Sequence, residues 1–197
     1  EVSIVSAKAA PTLSSNVFSK MKENQKDITV GVTDENNRLQ YQWKFNSDTI
    51  TQPDMDIDLT ISFDTDRENE VKEITGRDDL MYLSFSHHGA LPGPATIKTY
   101  VGNKYKDGDI VYLYYFNEEQ NRVESVGGVN KGLVVKDGYV EYTITHCSLY
   151  FLSQDTAEII KAVDPDTADN NGQVADVADT ANDSAATGDT TRGFLYV

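Results

Sequence analysis

Cysteine occurs once in the 197-residue chain, at Cys147. A single thiol excludes an internal disulfide and any zinc ribbon built from paired cysteines. Histidine is almost as scarce. His87, His88 and His146 are the three, so histidine chemistry has two places to sit, one of them beside the lone cysteine. No apolar run approaches the ~20 residues that a membrane-crossing helix needs. Bases are outnumbered, with 17 Lys and Arg against 32 Asp and Glu and a formal net charge of -15. Nucleic acid calls for clustered Lys and Arg, and an anionic membrane surface calls for the same. Neither partner is expected, and the charge suits a highly soluble protein that meets cations or neutral sugars. The first residue is Glu1 rather than methionine, so a processed chain is expected, with any signal peptide outside it.

What is present is a strand pattern. Apolar residues make up 39% of the chain, enough for one sizeable core. "RLQYQWKF" puts Leu39, Tyr41, Trp43 and Phe45 on one face and Arg38, Gln40, Gln42 and Lys44 on the other, the mark of a half-buried strand. "IDLTISFD" repeats the pattern with Ile57, Leu59, Ile61 and Phe63 inward. "DENN" between "ITVGVT" and "RLQYQWKF" reads as a hairpin turn. Further strands are expected in "LMYLSFS", "ATIKTYV", "DIVYLYYF", "NRVESV", "GYVEYTITH" and "SLYFLS". Asp-Gly stands before a strand at Lys106-Gly108 and again at Lys136-Gly138, supplying positive-φ turns. Two helices interrupt this series. One follows Ser14 or Ser15 as cap, with Val17, Phe18 and Met21 on one face. The other is "RENEVKEITG", ending at Gly76. The fold class expected is mainly β: an antiparallel β-sandwich with a short N-terminal helix and one short helix in a connection.

Composition divides the chain into an N-terminal extension over 1–13, a folded module over 14–154 and a flexible acidic tail over 155–197. From Asp155 to Gly193 nine acids face two bases, and no aromatic residue comes before Phe194, which is the composition of a disordered spacer. "DTAEIIKAV" is the one piece of it that reads as a short helix beside the domain.

Three stretches bear reactive residues. In "LSFSHHGALPGPA" a strand would throw His87 and His88 to opposite faces, and zinc needs a third ligand that nothing nearby supplies. The expectation is that His87 closes the core, His88 starts a turn, and "GALPGP" ends the strand and directs the chain into the next. In "THCSLYFLS" strand geometry also separates His146 from Cys147, so a Cys-His dyad is not expected. His146 shares a parity with Val140, Tyr142 and Ile144 and reads as an inward residue. "HCSLY" nevertheless resembles the terminal strand of self-cleaving β-sandwich domains in adhesion receptors and death-domain adaptors. That likeness implies Ser148 attacking the Cys147 carbonyl with His146 as base. Asp64, Asp66 and Glu68 in "FDTDREN", and "DPDTADNNGQ" in the tail, lack calcium-loop spacing and read as solvated turns. No metal, no cofactor and no catalytic residue is expected.

Aromatic residues offer a different chemistry. Tyr112, Tyr114 and Phe116 share one face of "DIVYLYYF", opposite Val111, Leu113 and Tyr115. Tyr82, Tyr100 and Tyr139 fall on the parity opposite the best core residues of their strands. If open, these six rings form a platform for flat sugar faces. If not, a second sheet covers one side and the N-terminal helix the other.

"VFSKMKENQKDITVGVTDENNRLQYQWKF", "LSFSHHGALPGPATIKTYVGNKYKDGDIVYLYYFNEEQNRVE" and "VVKDGYVEYTITHCSLYFLS" resemble a β-rich module of cell-wall-anchored surface proteins of Gram-positive, gut Firmicute-type bacteria. The likeness covers most of 14–154. It implies an extracellular, wall-associated, non-catalytic stalk or adhesion domain whose partner is a glycan or a host or cell-surface ligand. "AATGDTTRGFLYV" is similar to the start of a sortase sorting signal, with cleavage implied between Thr187 and Gly188 and peptidoglycan attachment through this region. It departs from that signal upstream, where Asp183, Ser184, Ala185 and Ala186 stand in place of a Leu-Pro pair. Three functions are carried forward: a surface stalk or adhesion domain, a carbohydrate-binding module using exposed tyrosines, and a self-cleaving sandwich at Cys147-Ser148.

Overall fold

Alternating apolar and polar side chains become strands at nearly every place where the pattern is regular. The structure, a computed structural model of the chain, describes residues 2–7 and 10–168. In chain order it contains β1 (Val2–Ala7), β2 (Thr12–Leu13), α1 (Ser15–Asn24), β3 (Ile28–Thr33), β4 (Leu39–Phe45), a 3-10 turn (Ser47–Thr49), β5 (Ile57–Asp58), β6 (Ile61–Ser62) and α2 (Glu68–Thr75). Then follow β7 (Met81–Tyr100), β8 (Ile110–Asn117), β9 (Arg122–Ser125), β10 (Gly132–Val134), β11 (Tyr139–Ser153), α3 (Ala157–Ile160) and α4 (Pro165–Ala168). The main sheet runs β1-β3-β4-β7-β11-β8-β10, with β6 added on β7 and β9 on β8. Its pairings are antiparallel except for β1 on β3. The mainly β, sandwich-like class read from the sequence is what the structure has.

Long strands make the sandwich out of one sheet. The C-terminal part of β7 pairs with β4 and with the first half of β11. Its N-terminal part pairs with β6 and with the last residues of β11, which also hold β8. Between these parts the register jumps twice. Ala95 faces Ile144 and Ala90 faces His146, so four residues of β7, 91–94, stand against Thr145 alone. Gly89 faces Cys147 and Ser84 faces Leu149, so 85–88 stand against Ser148. Bulges of this kind bend and twist a strand. The sheet thereby folds over until Trp43 of β4 meets Phe85 of β7 edge-on, centroids 5.4 Å apart.

"HHGALPGP" is therefore no turn between two strands, as expected, but the bent middle of a single 20-residue strand. Proline and glycine act by bending and close approach. Gly89 takes φ +94°, and the Pro92 carbonyl accepts hydrogen bonds from the backbone of Thr51 and Gln52 at 2.8 and 3.0 Å. Gly93 lies so near Thr49 that a Cβ would stand 2.3 Å from its carbonyl oxygen. The strand expected in "IDLTISFD" is likewise split. β5 pairs with β2 and β6 with β7, while Ile57, Leu59 and Ile61 are buried as the alternation requires.

Two apolar clusters lie on opposite faces of β7, β8 and β11. The inner one includes Trp43, Phe45, Phe85, Ile97, Leu113 and Tyr150, and the Trp43 indole N–H donates to the Leu59 carbonyl at 2.9 Å. Burying each large ring here stabilises the fold by on the order of 2–3 kcal/mol. α1 closes one border of this cluster, with Phe18 edge-on to Phe45 at 5.1 Å. The outer cluster joins Tyr82, Tyr114, Phe116 and Phe151 to Val71 of α2 and to Ala157 and Ile160 of α3. The expected boundaries move at both ends. Residues 2–7 enter the sheet and Leu13 is buried, so 1–13 is more than an extension. At the other end the folded part passes residue 154, since Ala157 and Ile160 are buried and Val163 bridges to Glu124. Residues 169–197, most of the acidic tail and all of the sorting-signal likeness with Thr187 and Gly188, lie outside the described residues.

Candidate functional site

The bends of β7 and β11 decide what the histidines touch. His87 is half-buried, and its Nε2 hydrogen-bonds the carbonyl of Ala90 on its own strand at 3.1 Å. It does not close the core. His88 is exposed. His146 is also only half-buried, because the irregularity at Thr145 breaks the parity that would have turned it inward. Its ring stands edge-on to Tyr115 at 4.7 Å and beside Tyr150 at 5.7 Å. The Tyr150 hydroxyl donates to the His146 carbonyl at 2.8 Å and lies 3.2 Å from Nε2. A phenol has one proton, so its oxygen accepts from Nε2–H. Burial holds the His146 imidazole below its ordinary value, opposed by the nearby Glu124 carboxylate.

Cys147 points the other way, into the inner cluster, and burial pushes its thiol up to about 12. A thiol in that state is a small apolar side chain rather than a nucleophile. Ser148 is half-buried on the His146 side, next to the Tyr115 phenol. The self-cleavage likeness thus gains a bulged serine on the same side as the histidine. The histidine nitrogen, however, is engaged by Tyr150 and not by the Ser148 hydroxyl.

Neighbouring Glu124 is a buried carboxylate that no sequence signal singled out. Its Oε1 accepts from Asn117 Nδ2 at 2.9 Å and from Arg122 Nε at 2.8 Å. Asp64, Asp66 and Glu68 are exposed, and Asp64 accepts a hydrogen bond from the Ser62 hydroxyl. Among the described residues no three His, Cys, Asp or Glu side chains gather as a metal site, and no helix is long and apolar enough to cross a membrane.

Burial divides the six aromatic residues. Tyr82, Tyr114 and Phe116 are buried in the outer cluster, and Tyr112 packs against it half-buried. The Tyr114 hydroxyl donates to the Asp155 carbonyl at 2.8 Å. The cover is α2 and α3, not the N-terminal helix, so an open platform on β8 is corrected to a core surface. Tyr100 and Tyr139 differ. They form an edge-on pair at 5.3 Å on the outer face of β7 and β11, and both are half-buried. Arg38 lies over the Tyr100 ring at 4.2 Å, Lys98 over Tyr139 at 4.7 Å, and the Tyr139 hydroxyl donates to the Leu39 carbonyl at 3.0 Å.

Beside Tyr100 the sandwich ends in a cleft of about 190 Å³. Arg38 and Gln40 from the start of β4, Phe63 beyond β6, Tyr100 at the end of β7, and Asn103 and Lys104 of the following turn are on its walls. Apart from Tyr100, none of these stood out in the sequence as a site residue. They come from three separate segments, and only the folding of the sheet brings them together.

No protein-family model matches the chain, and no curated protein matches it in sequence.

Proposed function

We propose that the chain is a non-catalytic module of a cell-surface protein, extracellular and wall-associated, serving as a stalk or adhesion domain. The observation that carries this reading is the fate of the reactive side chains. His87 is tied to Ala90 and His146 to Tyr150, Ser148 lies next to the Tyr115 phenol, and Cys147 is sealed in the inner cluster. None has a second reactive partner of the kind that nucleophilic or acid–base catalysis uses. The resemblance of 14–154 to surface modules of Gram-positive bacteria supplies the location, and attachment to peptidoglycan through the C-terminal region goes with it. The purified chain held at neutral pH should give one intact mass at full length, and it should be retained on surfaces coated with mucin or cell-wall glycan. Two fragments meeting between Cys147 and Ser148 would replace this reading with self-cleavage.

A second reading, a carbohydrate-binding module, is favoured by one observation. Tyr100 and Tyr139 keep part of their rings at the surface next to a cleft, although Tyr82, Tyr114 and Phe116 are covered.

A further inference from the structure

The cleft beside Tyr100 carries a charge opposite to that of the whole chain. The formal net charge is -15, yet the charged residues on the cleft walls are Arg38 and Lys104, with no acid among the lining residues. Arg38 is held in place rather than used up. Asp34 takes its Nε and Nη2 edge at 3.2 and 3.0 Å, its guanidinium rests over the Tyr100 ring, and Nη1 is left for a further acceptor. Lys104 makes one long bond, 3.4 Å, to the Leu80 carbonyl, and an ammonium has three donors. Gln40 and Asn103 add amides that both donate and accept. Phe63 and Tyr100 give apolar wall.

The seat is also prepared in advance. The Tyr100 ring lies against two glycines, where a Cβ at Gly102 would stand 2.8 Å from its hydroxyl and one at Gly138 2.9 Å from its ring carbon. A ring fixed on these sides loses little freedom when a ligand arrives. The volume suits one small ring rather than an oligomer, since sites for larger ligands begin near ~300 Å³.

We propose that this cleft binds a sugar ring bearing a carboxylate, such as a hexuronic acid unit of a glycan. The carboxylate is met by Arg38 and Lys104, the hydroxyls by Gln40 and Asn103, and the C–H surface by Phe63 and Tyr100. The inference rests on the carbohydrate-binding reading and narrows it to acidic sugars.

The test is a titration of the full chain with sodium D-glucuronate, D-glucose and sodium acetate, followed by NMR shifts of the Arg38 Nε–H and the Gln40 and Asn103 side-chain amides. Glucuronate should shift all three and saturate. Glucose and acetate should each bind at least about tenfold more weakly, since each lacks one half of the recognition. Arg38→Gln and Lys104→Gln should each weaken glucuronate about tenfold, Arg38→Lys should keep part of the affinity, and salt should weaken all charge-dependent binding. Both sites are exposed, so the variants should fold with unchanged spectra. Equal binding of glucose and glucuronate would overturn the acidic-sugar inference while leaving the carbohydrate reading intact. Equal binding of acetate would reduce the site to a simple anion seat. Absence of shifts with all three probes would overturn the inference and the carbohydrate reading together.

Discussion

His146 ties a single residue to the stability of the module. Its imidazole is half-buried between Tyr115 and Tyr150, and burial lowers its proton affinity below the ordinary value of 6.5 against the opposing pull of the Glu124 carboxylate. The unfolded chain, with an unperturbed histidine, then binds more protons than the folded one as pH falls below about 6.5. Stability follows the difference in bound protons, so this contribution is full above that pH and is lost on acidification toward the lower folded value. Asp27, Asp34, Asp78 and Glu158 are held below their ordinary values of 3.8 and 4.5, chiefly by hydrogen bonds, and act in the same direction in a separate, more acidic window. His146→Phe keeps a ring against Tyr115 and Tyr150, and Tyr150 keeps its bond to the residue-146 carbonyl. The variant should therefore fold, and its melting temperature should change less than wild type between pH 7 and pH 5. Parallel curves would show that His146 does not titrate differently in the folded state.

The elements show where backbone chemistry overrides local reading. Gly93 and Gly89 sit four residues apart in the bent part of β7 and fail in different ways when given a side chain. At Gly93 a Cβ meets the Thr49 backbone at 2.3 Å, so Gly93→Ala must push the 3-10 turn away from the strand and should cost on the order of 1–3 kcal/mol. At Gly89 nothing lies within 4 Å and only the φ of +94° resists, so Gly89→Ala should cost about 1 kcal/mol. Urea unfolding of the two variants decides it, and equal losses would mean that the close approach at Gly93 is not a constraint. These residues also mark the limit of what sequence patterns convey. The helix ending at Gly76, the inward face of β4 and the Asp137-Gly138 turn, with φ +52° and +79°, follow from local rules and were legible. "HHGALPGP" was not, because those rules make proline and glycine end strands, while pairing on both flanks carries β7 through. The cleft was not legible either, since Arg38, Phe63 and Lys104 become neighbours only after the sheet bends, and a surface arginine has no periodicity of its own.

Over the whole molecule, the two apolar clusters share their walls. Leu83 and Phe85 face the inner cluster while Tyr82 faces the outer one. Leu113 and Tyr114, and Tyr150 and Phe151, divide in the same way. The outer cluster is built mainly on the backs of inner-cluster strands, with Val123 of the short β9 added on β8, so it should not melt by itself. The one tryptophan, Trp43, lies at the centre of the inner cluster and reports on that cluster alone. Ile160 is fully buried in the outer cluster, on a helix that follows the last strand. Ile160→Ala removes apolar contacts far from Trp43 and should cost about 2–4 kcal/mol. If the sandwich is one cooperative unit, Trp43 fluorescence should report that entire loss, and its transition should coincide with that seen by far-ultraviolet circular dichroism. A variant whose dichroism changes early while Trp43 holds its wild-type midpoint would instead make α2, α3 and the outer cluster a separately unfolding layer.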